Sequence, residues 1–236
     1  MSKPFLEAEW RNLIMVNYVV DPKILEPYLP AGTTVDLFHG KAYVSLVGFL
    51  FAETKVLGVK IPFHINFEEV NLRFYVTHEG KRGVVFIKEI VPKAAISFVA
   101  NNLFGEKYAT APMKHFFLQA GEDFVFSFQW KSDGRWNMLE AVTETHAVEM
   151  PPGSEEEFIA EHYYGYSRKN ERTTFEYEVK HPRWRVFPVI EYTVNTDFAG
   201  LYGDAFAALK DSVPASVFVA QGSAISVGNK RRLPLI

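Results

Sequence analysis

The chain has no cysteine among its 236 residues, which removes disulfides, thiolate nucleophiles and cysteine metal ligands together. A surplus of charge of one sign is also lacking. The formal net charge is −3, and the only basic run is Lys230, Arg231 and Arg232 near the C-terminus. Phosphate binding needs clustered Lys and Arg, so no nucleic-acid partner is expected and the short run reads as a solvated tail. No uninterrupted apolar stretch approaches the roughly 20 residues that span a bilayer, so no membrane partner is expected either. Met1 to Arg11 lacks the apolar core and small-residue cleavage site of a secretory signal. Together these absences lead to the expectation of a cytoplasmic protein.

Motif chemistry is equally sparse. There is no Gly-x-Gly-x-x-Gly, no Gly-x-x-x-x-Gly-Lys-Ser/Thr and, although Ser223 follows Gly222, no Gly-x-Ser-x-Gly elbow. The seven His, at 39, 64, 78, 115, 146, 162 and 181, never fall within a few positions of one another, which removes the helical zinc motif. Neither a metal nor a cofactor is expected.

What the chain does contain is apolar and aromatic: 48% hydrophobic residues, with 21 Phe and 11 Tyr. Such a load suits half-buried pleated strands and apolar cavities. Composition does not shift along the sequence, so residues 1–236 read as one domain. Alternating segments dominate. Arg11 to Val20 runs into Asp21-Pro22, a cap followed by a proline suited to a first helical turn. Thr33 to Phe38 and Lys41 to Phe51 read as a hairpin about His39-Gly40, and Glu69 to Thr77 with Gly83 to Ile90 as another. Lys93 to Phe104 has helical spacing and stops at Gly105. Ser154 with Glu157 forms a capping box for a helix expected to reach Gly165, and Asn195 to Lys210 reads as a last helix. About ten strands and four helices in this order predict an α+β fold, mainly antiparallel, with a curved or closed sheet.

In Glu69-Val70-Asn71-Leu72-Arg73-Phe74-Tyr75-Val76, period two puts Val70, Leu72, Phe74 and Val76 on one face and Glu69, Asn71, Arg73 and Tyr75 on the other. The second face lies either in water or inside a closed sheet, where Glu69 and Arg73 would orient a ligand. Glu106, Lys107 and Tyr108 sit at a helix-to-strand corner. A buried Lys107 would have a depressed pKa and serve as an amine nucleophile, whereas an exposed one is an ordinary surface charge. Trp184, in His181-Pro182-Arg183-Trp184, would form a pocket wall or pack a loop.

Several segments resemble acetoacetate decarboxylase-like proteins: Tyr18-Val19-Val20-Asp21-Pro22 with Leu29-Pro30, the aromatic-x-Glu of Phe67 to Glu69, and the corner Ala100 to Tyr108. Val44 to Phe49, Asn71-x-Arg73-x-Tyr75-Val76, His181-Pro182-x-Trp184 and Gln221-Gly222-Ser223 further resemble a broad bacterial family of unknown function in that superfamily. The resemblance covers almost the whole chain. It implies a β-barrel or cone with a few surrounding helices, and an interior pocket for a small molecule such as a keto acid or other carboxylate. Glu69, Lys107 and Glu106 would be the catalytic residues there, with Arg11, Asn71, Arg73, Tyr108 and Trp184 binding the substrate. Relatives assemble, and edge strands here could pair between copies, so a homo-oligomer is open. The corner departs from the decarboxylase pattern of adjacent lysines: Gly105-Glu106-Lys107-Tyr108 holds one lysine, a position out of register, which would place Tyr108 where the Schiff-base amine should be. The reading is therefore an enzyme on a carbonyl or carboxylate compound, a Schiff-base lyase through Lys107, or a non-catalytic binding module.

Overall fold

A computed structural model describes residues 3–233. Its first strand, β1 (Leu6–Val20), ends at Asp21, whose carboxylate caps a 3₁₀ helix over Pro22–Tyr28 by accepting from the Lys23 amide. Then come β2 (Thr34–Val35), β3 (Ala42–Val56), β4 (Phe67–His78) and β5 (Lys81–Val91). Glu79 and Gly80, both at positive φ, make the tight β4–β5 turn. The expected first hairpin is different. His39-Gly40 does turn the chain, but β2 pairs with β4 rather than with β3.

The helix α1 (Ala94–Phe104) closes on Gly105 in the left-handed region. Pro112 follows β6 (Tyr108–Thr110) and separates it from β7 (Met113–Ala120). The meander continues through β8 (Asp123–Ser132), β9 (Arg135–Glu144) and the short β10 (Val148–Glu149). The capping box starts α2 (Glu155–Ala160): the Glu157 amide donates to Ser154 Oγ, and the Gly153 amide to the Glu157 carboxylate. This helix stops at Ala160 rather than Gly165, because β11 (Tyr164–Asn170) claims the tyrosines. After β12 (Thr173–Lys180) and β13 (Arg185–Asn195), Gly203 splits the expected last helix into α3 (Phe198–Tyr202) and a 3₁₀ helix over Asp204–Asp211. Its buried side chains include Leu201, Phe206 and Leu209, while Ala205 and Ala208 face solvent. The chain ends in β14 (Ser216–Val227) and β15 (Arg231–Arg232).

The pairings β1–β3–β4–β5–β11–β12–β14–β1 close into a ring, mostly antiparallel. Two of its joints are short. β5 meets β11 at the single pair Val84–Gly165, and β12 meets β14 at Val179–Val227 and Lys180–Ser226. Close approach at the first joint needs glycine, since a Cβ on Gly83 would lie 2.6 Å from the Tyr164 carbonyl oxygen. From β14 a second layer, β13–β9–β8–β7, folds back over the ring.

Two cores result, one on each face of the ring. The outer core joins Val70, Leu72 and Phe74 of β4 to Phe126, Phe128 and Trp130 of β8 and to Phe198 and Phe206. The inner core holds Met15, Phe49, Phe67 and Tyr75, with Phe158 and Ile159 of α2 packed among them. β4 is thus buried on both faces, and its Glu69, Asn71 and Arg73 point into the ring.

Candidate functional site

The interior of the ring is not completely filled. A cavity of about 280 Å³ remains, walled by aromatic and aliphatic side chains that include Trp10, Phe49, Phe51, Phe67 and Trp184. Ile61 and Val99 of α1 stand at its solvent-exposed margin. Polar groups enter it in two places.

The first is a cluster of three carboxyl groups. β4 supplies Glu69 and Asn71, β5 supplies Glu89, the turn before β6 supplies Glu106, and Tyr108 and Tyr177 come from β6 and β12. Asn71 Nδ2 donates to Glu69 Oε1 at 2.9 Å, Tyr108 donates to Glu69 Oε2 at 3.0 Å, and Tyr177 donates to Glu106 Oε1 at 2.8 Å. The Tyr108 hydroxyl also interacts with Glu89, whose Oε2 has no partner. Burial pushes Glu69 up to about 7, although its bonds from Asn71 and Tyr108 and the field of Arg73 work against the rise. Burial raises Glu106 to about 8, with Glu69 adding repulsion and the Tyr177 bond opposing. Glu89 is held well above the usual carboxylate range by burial and by repulsion from both neighbours. The two tyrosines are raised too, so they stay neutral donors.

The second place is Arg73 with His162. Arg73 Nη2 donates to the Ile159 carbonyl at 3.3 Å, the guanidinium lies 5.7 Å from the Tyr75 ring centre, and its Nε has no partner. His162 is pushed down to about 4, chiefly by burial and by the charges of Arg82 and Arg73, against the pull of Asp36. Among the described residues no three His, Cys, Asp or Glu converge closely enough to hold a metal ion.

Comparison with known proteins adds a family and a fold. A model of the DUF2071 family, described as an uncharacterized conserved protein, matches residues 7–224. The chain belongs to this family. The DUF2071 chain is 29% identical over 110 residues to the uncharacterized protein YqjF of Bacillus subtilis (strain 168), a match spanning 46% of either chain. Among solved structures, the enduracididine biosynthesis enzyme MppR complexed with pyruvate superposes with a TM-score of 0.70 at 16% identity, covering 100% of this chain and 92% of that one. An acetoacetate decarboxylase-like enzyme from Sphingomonas wittichii RW1 gives 0.70 at 14%, covering 100% and 95%. Acetoacetate decarboxylase from Legionella pneumophila subsp. pneumophila str. Philadelphia 1 gives 0.68 at 11%, covering 99% and 90%. At these identities the likeness establishes the acetoacetate decarboxylase-like fold alone. No helix among the described residues is long and apolar enough to cross a membrane.

Six of the eight residues singled out from the DUF2071 sequence line the cavity: Glu69, Asn71, Arg73, Glu106, Tyr108 and Trp184. Trp184 stacks on His181 at 4.2 Å and donates to Ser223 Oγ at 2.9 Å, so it is both wall and packing. Arg11 is elsewhere. It pairs with Glu9 at 2.6 Å on the surface, because a bulge at Asn12, φ 55°, breaks the alternation that would have placed it with Leu13 and Met15. Lys107 is also outside. Glu106 and Tyr108 face inward, so the residue between them faces outward, and its ammonium lies 5.0 Å from the Tyr28 ring centre. Burial and Arg168 lower its pKa in spite of Glu106, the reverse of what the adjacent carboxylate alone would do. Sequence reasoning missed Glu89 and Tyr177. For Tyr177 a signal existed, since Phe175, Tyr177 and Val179 form the apolar stripe of β12.

Proposed function

We propose that the protein binds a small carbonyl or carboxylate compound in this cavity and moves a proton on it, with no covalent amine adduct. The observation that carries this reading is Glu69: a buried carboxyl held near neutrality at about 7, hydrogen-bonded by Asn71 and Tyr108 and facing a cavity with mainly apolar walls that no lysine among the described residues lines. Such a group is half-ionised where cells operate, the condition that favours a general base. In the step it supports, the carboxylate of Glu69 takes the proton from the carbon beside a carbonyl. The C–H electron pair forms a carbon–carbon double bond and the carbonyl π pair moves to oxygen, which receives a proton from the protonated carboxyl of Glu106 or a hydrogen bond from Tyr108. Arg73, four residues along the same strand with Nε unpartnered, would hold a carboxylate. That MppR is described in complex with pyruvate supports the compound class.

The test is solvent deuterium exchange at the carbon beside the carbonyl, followed by NMR over a panel of 2-oxo acids and diketones. Exchange is expected with the wild type and with Lys107→Ala, with at least a hundredfold loss in Glu69→Gln. Borohydride reduction with the same compounds should leave the mass of Lys107 peptides unchanged. Exchange that survives Glu69→Gln, or an adduct on Lys107, would refute the reading. The mainly apolar wall favours a second one, a binding module without turnover. There, apolar ligands would raise the melting temperature by mass action while no exchange occurred.

A further inference from the structure

The carboxyl cluster is short of hydrogen-bond donors and of positive charge. Apart from protons held on the carboxyls themselves, its donors are the Asn71 amide, Tyr108 and Tyr177, and all three are engaged with Glu69 or Glu106. The nearest cations, Arg73 and Lys107, act on Glu69 and Glu106 only through space. Two acceptors facing the cavity remain unmatched: Glu89 Oε2 and Asn71 Oδ1, on residues 2% and 1% exposed. The bond from Asn71 Nδ2 to Glu69 fixes the amide so that its oxygen is the free atom. A buried acceptor without a partner is costly, and one next to further carboxyls is best matched by a charged N–H donor. Much of the rest of the wall is ring and chain carbon, with Trp10, Phe49, Phe51 and Trp184 on one side.

We infer that the ligand carries a protonated amine, seated at Glu89 and Asn71, on an apolar body that lies against Trp10, Phe49, Phe51 and Trp184. The inference rests on the cavity being the ligand site and names a second polar group that its ligand bears. The groups that face Glu89 are Glu69 and Asn71 from β4, Glu106 and Tyr108 at the corner of β6, and Tyr177 from β12, with Arg73 further along β4 and Lys107 behind Glu106 outside the cavity. The empty cluster keeps protons on its carboxyls, and an arriving ammonium displaces one. Affinity for an amine therefore rises with pH through neutrality, and binding releases a proton.

The experiment is titration calorimetry of the full chain with 4-phenylbutylamine and its neutral counterpart 4-phenylbutanol, at pH 6 and pH 8.5, in two buffers of different ionisation enthalpy. At pH 8.5 the amine should bind at least tenfold tighter than the alcohol. That advantage should shrink at least fivefold at pH 6, with about one proton released per amine bound. Glu89→Gln should bring the two ligands within threefold of each other. Should that variant not fold, the comparison of amine and alcohol in the wild type decides alone. Equal binding of the two ligands, an advantage kept in Glu89→Gln, or no binding of either would overturn the inference. If neither binds while deuterium exchange still depends on Glu69, only the amine falls; if both measurements are negative, the reading of the cavity falls with it.

Discussion

Replacing Glu69 by glutamine should change how stability depends on pH, and the size of that change follows from burial. Glu69 is 2% exposed and lifted from its ordinary 4.5 to about 7. Below pH 4.5 both the folded and the unfolded chain keep its proton, and the folded state carries its full advantage. As pH rises from 4.5 toward 7 the unfolded chain ionises alone, and each pH unit removes about 1.4 kcal/mol of stability. By pH 7 the loss from this group is about 3 kcal/mol, after which it levels off. Glutamine cannot ionise, so the variant escapes that loss. Its stability relative to wild type should improve by about 3 kcal/mol between pH 4.5 and 8, or about 6 °C in Tm for a chain of this length. Glu106 and Glu89 share protons with Glu69 and ionise more readily once its charge is gone, which adds to the gain. His162 acts in the opposite sense: pushed down to about 4, it contributes stability that is present above pH 6.5 and lost as pH falls toward 4. It is common to both proteins and cancels in the difference. The assay is therefore the gap in Tm between variant and wild type at pH 5, 6, 7 and 8 at constant ionic strength. A gap constant to within 1 °C would refute the burial argument.

Other outcomes follow from single contacts. Gly222→Ala should cost at least about 3 kcal/mol in urea unfolding, because the backbone has φ +76° and the new Cβ would sit 2.0 Å from the Trp10 carbonyl oxygen. Gly165→Ala places a Cβ 2.2 Å from the Tyr177 ring. It should displace the Tyr177–Glu106 bond, and any ligand affinity should fall along with Tm. Trp184→Phe keeps a ring against His181 but loses the bond to Ser223, for about 1 kcal/mol in chemical denaturation.

The inward stripe of β4 could be read in the sequence because that strand runs from Phe67 to His78 with its alternation unbroken, so period two carries Glu69, Asn71, Arg73 and Tyr75 to one side. Whether that side met water or the inside of a ring was beyond β4 itself; it depends on β12 reaching β14 through two residue pairs. The misplacement of Arg11 and the omission of Glu89 have one physical source. Where a strand carries an extra residue, its two faces exchange. In β5 the register slips opposite Leu72 and Arg73, so Phe86 faces inward before the slip and Glu89 after it. Strict alternation would group Glu89 with Val85 and Ile87, which lie in the outer core. In β1 the slip at Asn12 sends Arg11 outward while Trp10 and Leu13, three positions apart, both face the cavity. Neither slip has a glycine to announce it. The site therefore lies on an unbroken strand, β4, with the bulged β5 beside it and the bulged β1 beyond β3, and the bulge in β5 places Glu89 across from Asn71. A regular β5 of the same sequence would have turned Glu89 into the outer core and left Glu69, still lifted by burial, with Glu106 as its carboxyl neighbour. The amine seat inferred at Glu89 thus depends on a one-residue irregularity in β5. Deleting Ile87, the extra residue, would leave Phe86 and Glu89 two positions apart on the inner face of a regular strand, so the pH-dependent gap in Tm should survive the deletion if the chain still folds.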